Sequence, residues 1–120
     1  MNETITLKIT MSELEKLLLN HYKKTLSDEN IRLVYKVNDD DGYKEVKITI
    51  IKQTKVGNFS GEIKCELNYN EVLEVVNDEL GKSGYQTKNL WYRVMRDTVE
   101  EIEFDVVKTN SKQKGIGGIK

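Results

Sequence analysis

The sequence predicts an α+β fold. Two pseudo-repeated β-α-β-β units form one mostly antiparallel six-stranded sheet, with two helices packed on one face. Three observations predict it. Residues 4–22 and 62–80 both open with apolar residues at period two and change to a period near 3.6 at the same point, as a strand running into a helix does. At an offset of 58 the two stretches superpose: Ile5 on Ile63, Leu7 on Cys65, Ile9 on Leu67, Glu13 on Glu71, Leu14 on Val72 and Leu18 on Val76. Each stretch is followed by two further alternating runs. The pseudo-repeats span 4–54 and 62–107, within one domain over 1–109, and the match reads either as a duplication or as shared architecture.

The first strand is Thr4–Thr10, with Ile5, Leu7 and Ile9 on one face. Thr10 and Glu13 have capping-box spacing. The first helix follows to about Leu26, with Leu14, Leu17, Leu18 and Leu26 on its apolar stripe. After the polar break at 27–30, the second strand is Ile31–Val37, with Ile31, Leu33, Tyr35 and Val37 inward. Asn38–Gly42 is a hairpin connection and Tyr43–Thr54 the third strand, with Val46, Ile48 and Ile50 inward. Val56–Gly61 links the halves.

The fourth strand is Glu62–Asn68, with Cys65 inward between Ile63 and Leu67. The second helix is about Asn70–Leu80, stopped by Gly81 as a C′ glycine. Residues 89–96 fit a helix or a strand. They read as the fifth strand because Leu90, Tyr92 and Val94 fall on Ile31, Leu33 and Tyr35 at offset 59. Val99–Val107 is the sixth strand, with Ile102, Phe104 and Val106 inward. Residues 110–120, with Gly115, Gly117 and Gly118 and three lysines, read as a flexible basic tail.

Composition narrows the function classes. Hydrophobic residues make up 38% and charged residues 32% of the 120, too apolar for disorder. No apolar run approaches the ~18–20 residues of a membrane span, and no basic-apolar leader opens the chain. A cytoplasmic location is therefore expected. Proline and alanine are absent and lysine greatly outnumbers arginine, which suits an AT-rich genome, that of a low-GC bacterium or its phage. The net charge of −1 hides an acidic stretch over 62–105 and a basic end, an unsuitable distribution for general nucleic-acid affinity.

Residues with catalytic chemistry are sparse. His21 is the only histidine and Cys65 the only cysteine, which leaves no internal disulfide and no metal-ligand spacing. Aligning Gly42 of the Asp39–Gly42 cluster with position six of an EF-hand loop puts Val37 where an acid is needed. The run Gly115–Gly118 lacks the strand and helix of a phosphate loop. No enzyme activity, metal or cofactor is expected.

One face stands out. With Leu90, Tyr92 and Val94 inward, Trp91, Arg93 and Met95 point outward. On the neighbouring strand Glu101, Glu103 and Asp105 point to the same side, extended by Asp97 and Glu100. Trp and Arg are the types enriched in binding hot spots. Outward residues on one strand repeat about every 6.5–7 Å, comparable to phosphates along a nucleic-acid strand. The alternative is an ordinary charged face in which Arg93 pairs across the hairpin with an acid.

The repeated strand-helix-strand units, with Arg96-Asp97 followed by Ile102, Glu103 and Phe104, resemble the glyoxalase/bleomycin-resistance family. That family repeats a unit with one more strand, and its metal-dependent members place His and Glu on strands. Here the sole histidine lies in a helix, so neither activity nor metal site carries over.

The expected function is a small non-enzymatic protein-binding module. Trp91 and Met95 would anchor a protein partner, and the acids would occlude a basic site such as that of a nucleic-acid enzyme. An inhibitor carried by a phage or plasmid, of the anti-CRISPR or anti-defence type, fits this reading. A nucleic-acid-binding accessory protein using Arg93, Arg96, Lys112, Lys114 and Lys120 is the second reading. A metal-free ligand-binding domain with a pocket between the halves is the third. A homodimer is compatible with each.

Overall fold

The structure is a computed structural model describing residues 3–28, 30–40 and 42–109, apart from the side chain of Asp40. The basic stretch 110–120, with Lys112, Lys114 and Lys120, lies outside the described residues, as does Asp41 of the acidic cluster. The order is β1 (Thr4–Ile9), α1 (Met11–Leu26), β2 (Ile31–Asp40), β3 (Tyr43–Val56), β4 (Phe59–Leu67), α2 (Tyr69–Gly81), β5 (Tyr85–Met95) and β6 (Thr98–Lys108). The α+β class holds; residues 89–95 are strand, and Arg96 lies in the turn that follows.

The helices start where local chemistry dictates. Thr10 accepts a bond from the Glu13 backbone N–H, and Glu13 accepts one from the Thr10 N–H, closing a capping box. Asn68 and Glu71 repeat that box at the start of α2. Ser27 closes α1 in the left-handed region, at φ 52°. Gly81 does not act as a C′ residue: α2 continues through it, and the chain turns at Gly84, φ 83°.

The single six-stranded sheet is corrected. The strands form two three-stranded antiparallel sheets, ordered β1-β6-β5 and β2-β3-β4. Each sheet takes the leading strand of one half and the hairpin of the other. Hydrogen bonding at the β5 edge closes one of the places where the two sheets could have joined. The Thr87 N–H donates to Asn77 Oδ1 at 2.8 Å and the Leu90 N–H to Tyr69 Oη at 3.0 Å. Both acceptors belong to α2, so these two groups of the edge are satisfied by helix side chains rather than by a further strand. A third such bond runs between the sheets, from the Val99 N–H in β6 to Tyr35 Oη in β2, at 3.2 Å.

One core joins both sheets and both helices. Leu14 and Leu18 from α1 and Val72, Val75 and Val76 from α2 meet Leu33, Ile48 and Ile50 of one sheet and Leu90, Ile102 and Phe104 of the other. The segment expected to link the halves is instead the β3–β4 hairpin turn, where Gly57 takes φ 65°, a value that favours glycine. Strand β4 begins at Phe59, ahead of the expected start. Cys65 does share the helix-facing side with Ile50, its partner in register, but it is exposed. Because β4 is an edge strand, half of its surroundings are missing.

Candidate functional site

The β5–β6 hairpin carries the face singled out by the sequence. Its register sets Asn89 opposite Asp105, Trp91 opposite Glu103 and Arg93 opposite Glu101. Trp91, Arg93, Glu101, Glu103 and Asp105 therefore share the outer side, away from Leu90, Ile102 and Phe104. Met95 stands opposite Thr98 at the tip, beside a two-residue turn. There Arg96 has φ 60°, a conformation that strains a side chain bearing a Cβ.

Two irregularities explain why the alternation slips. One residue, Lys88, is extra on β5 between Thr87 and Asn89, and Glu100 is extra on β6 between Val99 and Glu101. Thr87 and Leu90 are consequently both buried, as are Val99 and Ile102. The first irregularity hid the start of β5: the regular pattern is legible only from position 89.

Arg93 pairs across the hairpin. Its Nη2 donates to Glu103 Oε2 at 2.8 Å, and its Nε lies 3.7 Å from Glu101 Oε1. Asp105 accepts from Thr6 Oγ1 of β1 at 3.0 Å. Lys8 of β1 stands opposite Glu103 from the other side. Three acids thus face Lys8 and Arg93, leaving −3 + 2 = −1 on this part of the sheet. The ladder is a partly compensated charge network. What it leaves open is apolar: Trp91 is 48% and Met95 61% exposed.

Trp91 also borders a cleft of about 720 Å³ between the sheets. Tyr43 at the start of β3, Tyr69 at the start of α2 and Tyr92 line it, together with Lys47 and Glu66. Burial raises the Tyr92 phenol well above its ordinary pKa of 10, helped by Tyr69. Tyr43 is 72% and Tyr69 46% exposed. Sequence reasoning missed both tyrosines. Each sits at the first residue of its element, where periodicity assigns no face, and the cleft exists only because the sheets are separate.

His21 lies on α1 with its ring edge-to-face against Tyr22 at 4.8 Å. It borders a polar hollow of about 430 Å³ with Glu13 and Lys24 of α1 and Asp78 of α2. Among the described residues, no three His, Cys, Asp or Glu side chains are grouped to hold a metal ion. Among those residues, too, no helix is long and apolar enough to cross a membrane.

No protein-family model, curated protein or solved structure matches this chain. The resemblance to the glyoxalase/bleomycin-resistance family therefore gains no second line of support.

Proposed function

We propose that the protein is a small non-enzymatic binding module that docks a protein partner on the outer face of β5 and β6. The observation that carries this reading is the exposure of Trp91 and Met95 on one face, beside a charge network in which Arg93 is already paired within the chain. Such a face offers apolar anchors on a rigid, preorganised surface, and desolvating its ion pairs is less costly than desolvating free charges. The acids then fix Arg93 and orient the face. An inhibitor that occludes a basic groove would draw on the residual negative charge and on Asp97 and Glu100 at the hairpin tip. Direct nucleic-acid binding is less well supported, because Arg93 is engaged by two carboxylates.

A second reading, ligand binding in the cleft, is favoured by Tyr43, Tyr69 and Trp91 converging on one opening. Trp91 belongs to both surfaces, so its substitution alone does not separate them. Met95 and Tyr43 do. The test is affinity capture of a defined partner from the source cells, with nuclease present, using Met95→Ser, Trp91→Ala and Tyr43→Ala chains that melt as the parent does. Docking on β5–β6 predicts that Trp91→Ala weakens capture by about thirtyfold or more, as a hot-spot truncation does. Met95→Ser should weaken it as well, and Tyr43→Ala should leave it unchanged. Capture that disappears with nuclease, or that depends on Tyr43 and not on Met95, overturns the reading.

A further inference from the structure

We infer that the chain forms a two-fold symmetric dimer by antiparallel pairing of β4 with β4 of a second copy, in the register that sets Ile63 opposite Ile63. This surface is separate from the β5–β6 face, and the inference does not depend on the proposed function.

Strand β4 is a nine-residue edge strand with a free side. An edge of that length normally carries protection: charged side chains, a proline, an inward charge, a bulge or a covering element. Of these β4 has only the outer charges Glu62, Lys64 and Glu66, and in the Ile63 register Glu62 and Lys64 find opposite charges rather than repel. Proline is absent from the chain, and β4 pairs with β3 from Phe59 to Leu67 without a register shift. Its helix-facing side carries Phe59, Ile63 and Cys65. Phe59 is 79% and Ile63 46% exposed.

The sequence of β4 is complementary to itself. With Ile63 on the two-fold axis, all nine residues pair. Glu62 then meets Lys64 of the second copy on the outer side, and Lys64 meets its Glu62. Ile63 meets Ile63 on the helix-facing side, Phe59 meets Leu67, and Gly61 meets Cys65. Gly61 has room there, its nearest neighbour being Thr54 Cγ2 at 3.8 Å from a Cβ position. A two-fold contact of this kind is satisfied on both sides at once and closes the assembly.

The charges are set up for it. Glu62 accepts from Arg32 Nη2 at 2.9 Å and from Gln53 Nε2 at 3.1 Å, and both bonds end on Oε2. Oε1 remains for an incoming ammonium group. Lys64 forms no ion pair among the described residues, whereas Lys44, Lys47 and Lys52 each do. Neighbouring registers fit less well. An axis at Lys64 sets Lys64 against Lys64 and Glu62 against Glu66. An axis at Cys65 matches charges but pairs only Ile63 to Leu67. The other sheet offers no equivalent: the outer residues of β1 are Thr4, Thr6 and Lys8, with no acid. Opposite charges directly across an antiparallel pair stabilise it, and like charges do the reverse. The dimer would join two three-stranded sheets into one continuous six-stranded sheet.

The test is sedimentation of the full chain over a wide concentration range, combined with site-directed crosslinking. The parent chain should dimerise, more weakly at high salt. Lys64→Glu should weaken the dimer by about tenfold or more, since it replaces two attractive pairs by two repulsive ones. Mixing the Lys64→Glu and Glu62→Lys chains should restore association between the two kinds of chain. Ile63→Cys on a Cys65→Ser background should crosslink under mild oxidation, while Cys65 of the parent should not. A chain that stays monomeric up to millimolar concentration overturns the inference. So does a dimer indifferent to Lys64→Glu, or crosslinking through Cys65 in place of position 63.

Discussion

Strands β1 and β4 are the outer strands of two sheets with the same strand order once the halves are exchanged, yet one of their matching places meets different surroundings. At matching places Ile9 and Leu67 both pack in the core, and Ile5 and Ile63 are both exposed, at 39% and 46%. The difference lies between them: Leu7 packs against the core, whereas Cys65 is exposed. The main helix–strand contacts run from α1 to β2 and β6 and from α2 to β5, so both outer strands lie at the margin of the helix layer. Alternation decides which side of a sheet a residue points to. Whether anything lies on that side is decided by helix placement, which depends on the whole fold.

The largest expected effect tests whether the two halves carry the core equally. Leu18 and Val76 stand at corresponding places in the capping-box helices, and both are buried. Leu18→Ala should destabilise the protein by about 2–5 kcal/mol. Val76→Ala removes fewer carbons, at about 0.8 kcal/mol per buried methylene before any cavity term, and should cost less. Chemical denaturation measures both. If Val76→Ala proves the more costly, α2 is the dominant support and the two helices are not equivalent.

A middle-sized effect addresses the strand comparison itself. Leu7→Ser removes a partly buried side chain and should cost about 1–2 kcal/mol, a fraction of the full burial term. Cys65→Ser, at the matching place on β4, should fall within about 0.5 kcal/mol of the parent. The measurement belongs at low protein concentration, where association at β4 does not contribute. A large loss at Cys65 would mean that this place on β4 is covered after all.

Much of the fold was legible, and the limits have physical causes. Strand and helix identities followed from the change of period at Thr10 and Asn68, because capping chemistry is local. The α2 start was expected at about Asn70, one residue late; the same box, Asn68 with Glu71, sets it in the structure at the place where Thr10 and Glu13 fall. Sheet partners were not legible. That two groups of the β5 edge are satisfied by Asn77 and Tyr69 is a property of three-dimensional packing, and no periodicity encodes it. The outward residues of β5 and β6 were read correctly, since a strand alternates reliably between bulges. The pairing of Arg93 across the hairpin was legible as the alternative to an open acidic ladder; which acids it takes, Glu103 and Glu101, depends on register. A pocket between the halves was among the expectations, but the tyrosines that line the cleft beside Trp91 were not legible, for the same reason as the sheet separation.

The smallest effects compare the two arginine networks on the outer faces. Arg93 joins Glu101 and Glu103, and the Glu103 side chain is only 20% exposed. Arg32 joins the exposed Glu62 of β4. Arg93→Gln should cost up to about 1 kcal/mol, the upper end for pairs near the surface. Arg32→Gln should change stability less, and its signature lies in the pH dependence. Hydrogen bonds from Gln53 and then Arg32 hold the Glu62 carboxyl below its ordinary pKa of 4.5. A lowered carboxyl contributes stability that is present above the unfolded-state pKa and is lost as pH falls through the folded one. Removing Arg32 brings the two values closer, so the loss on acidification should become shallower while Gln53 preserves part of it. Thermal melts taken on descending pH measure the change. A steeper acid loss in the Arg32→Gln chain would show that Glu62 is held by something other than its sheet neighbours, and the two faces would then differ in kind.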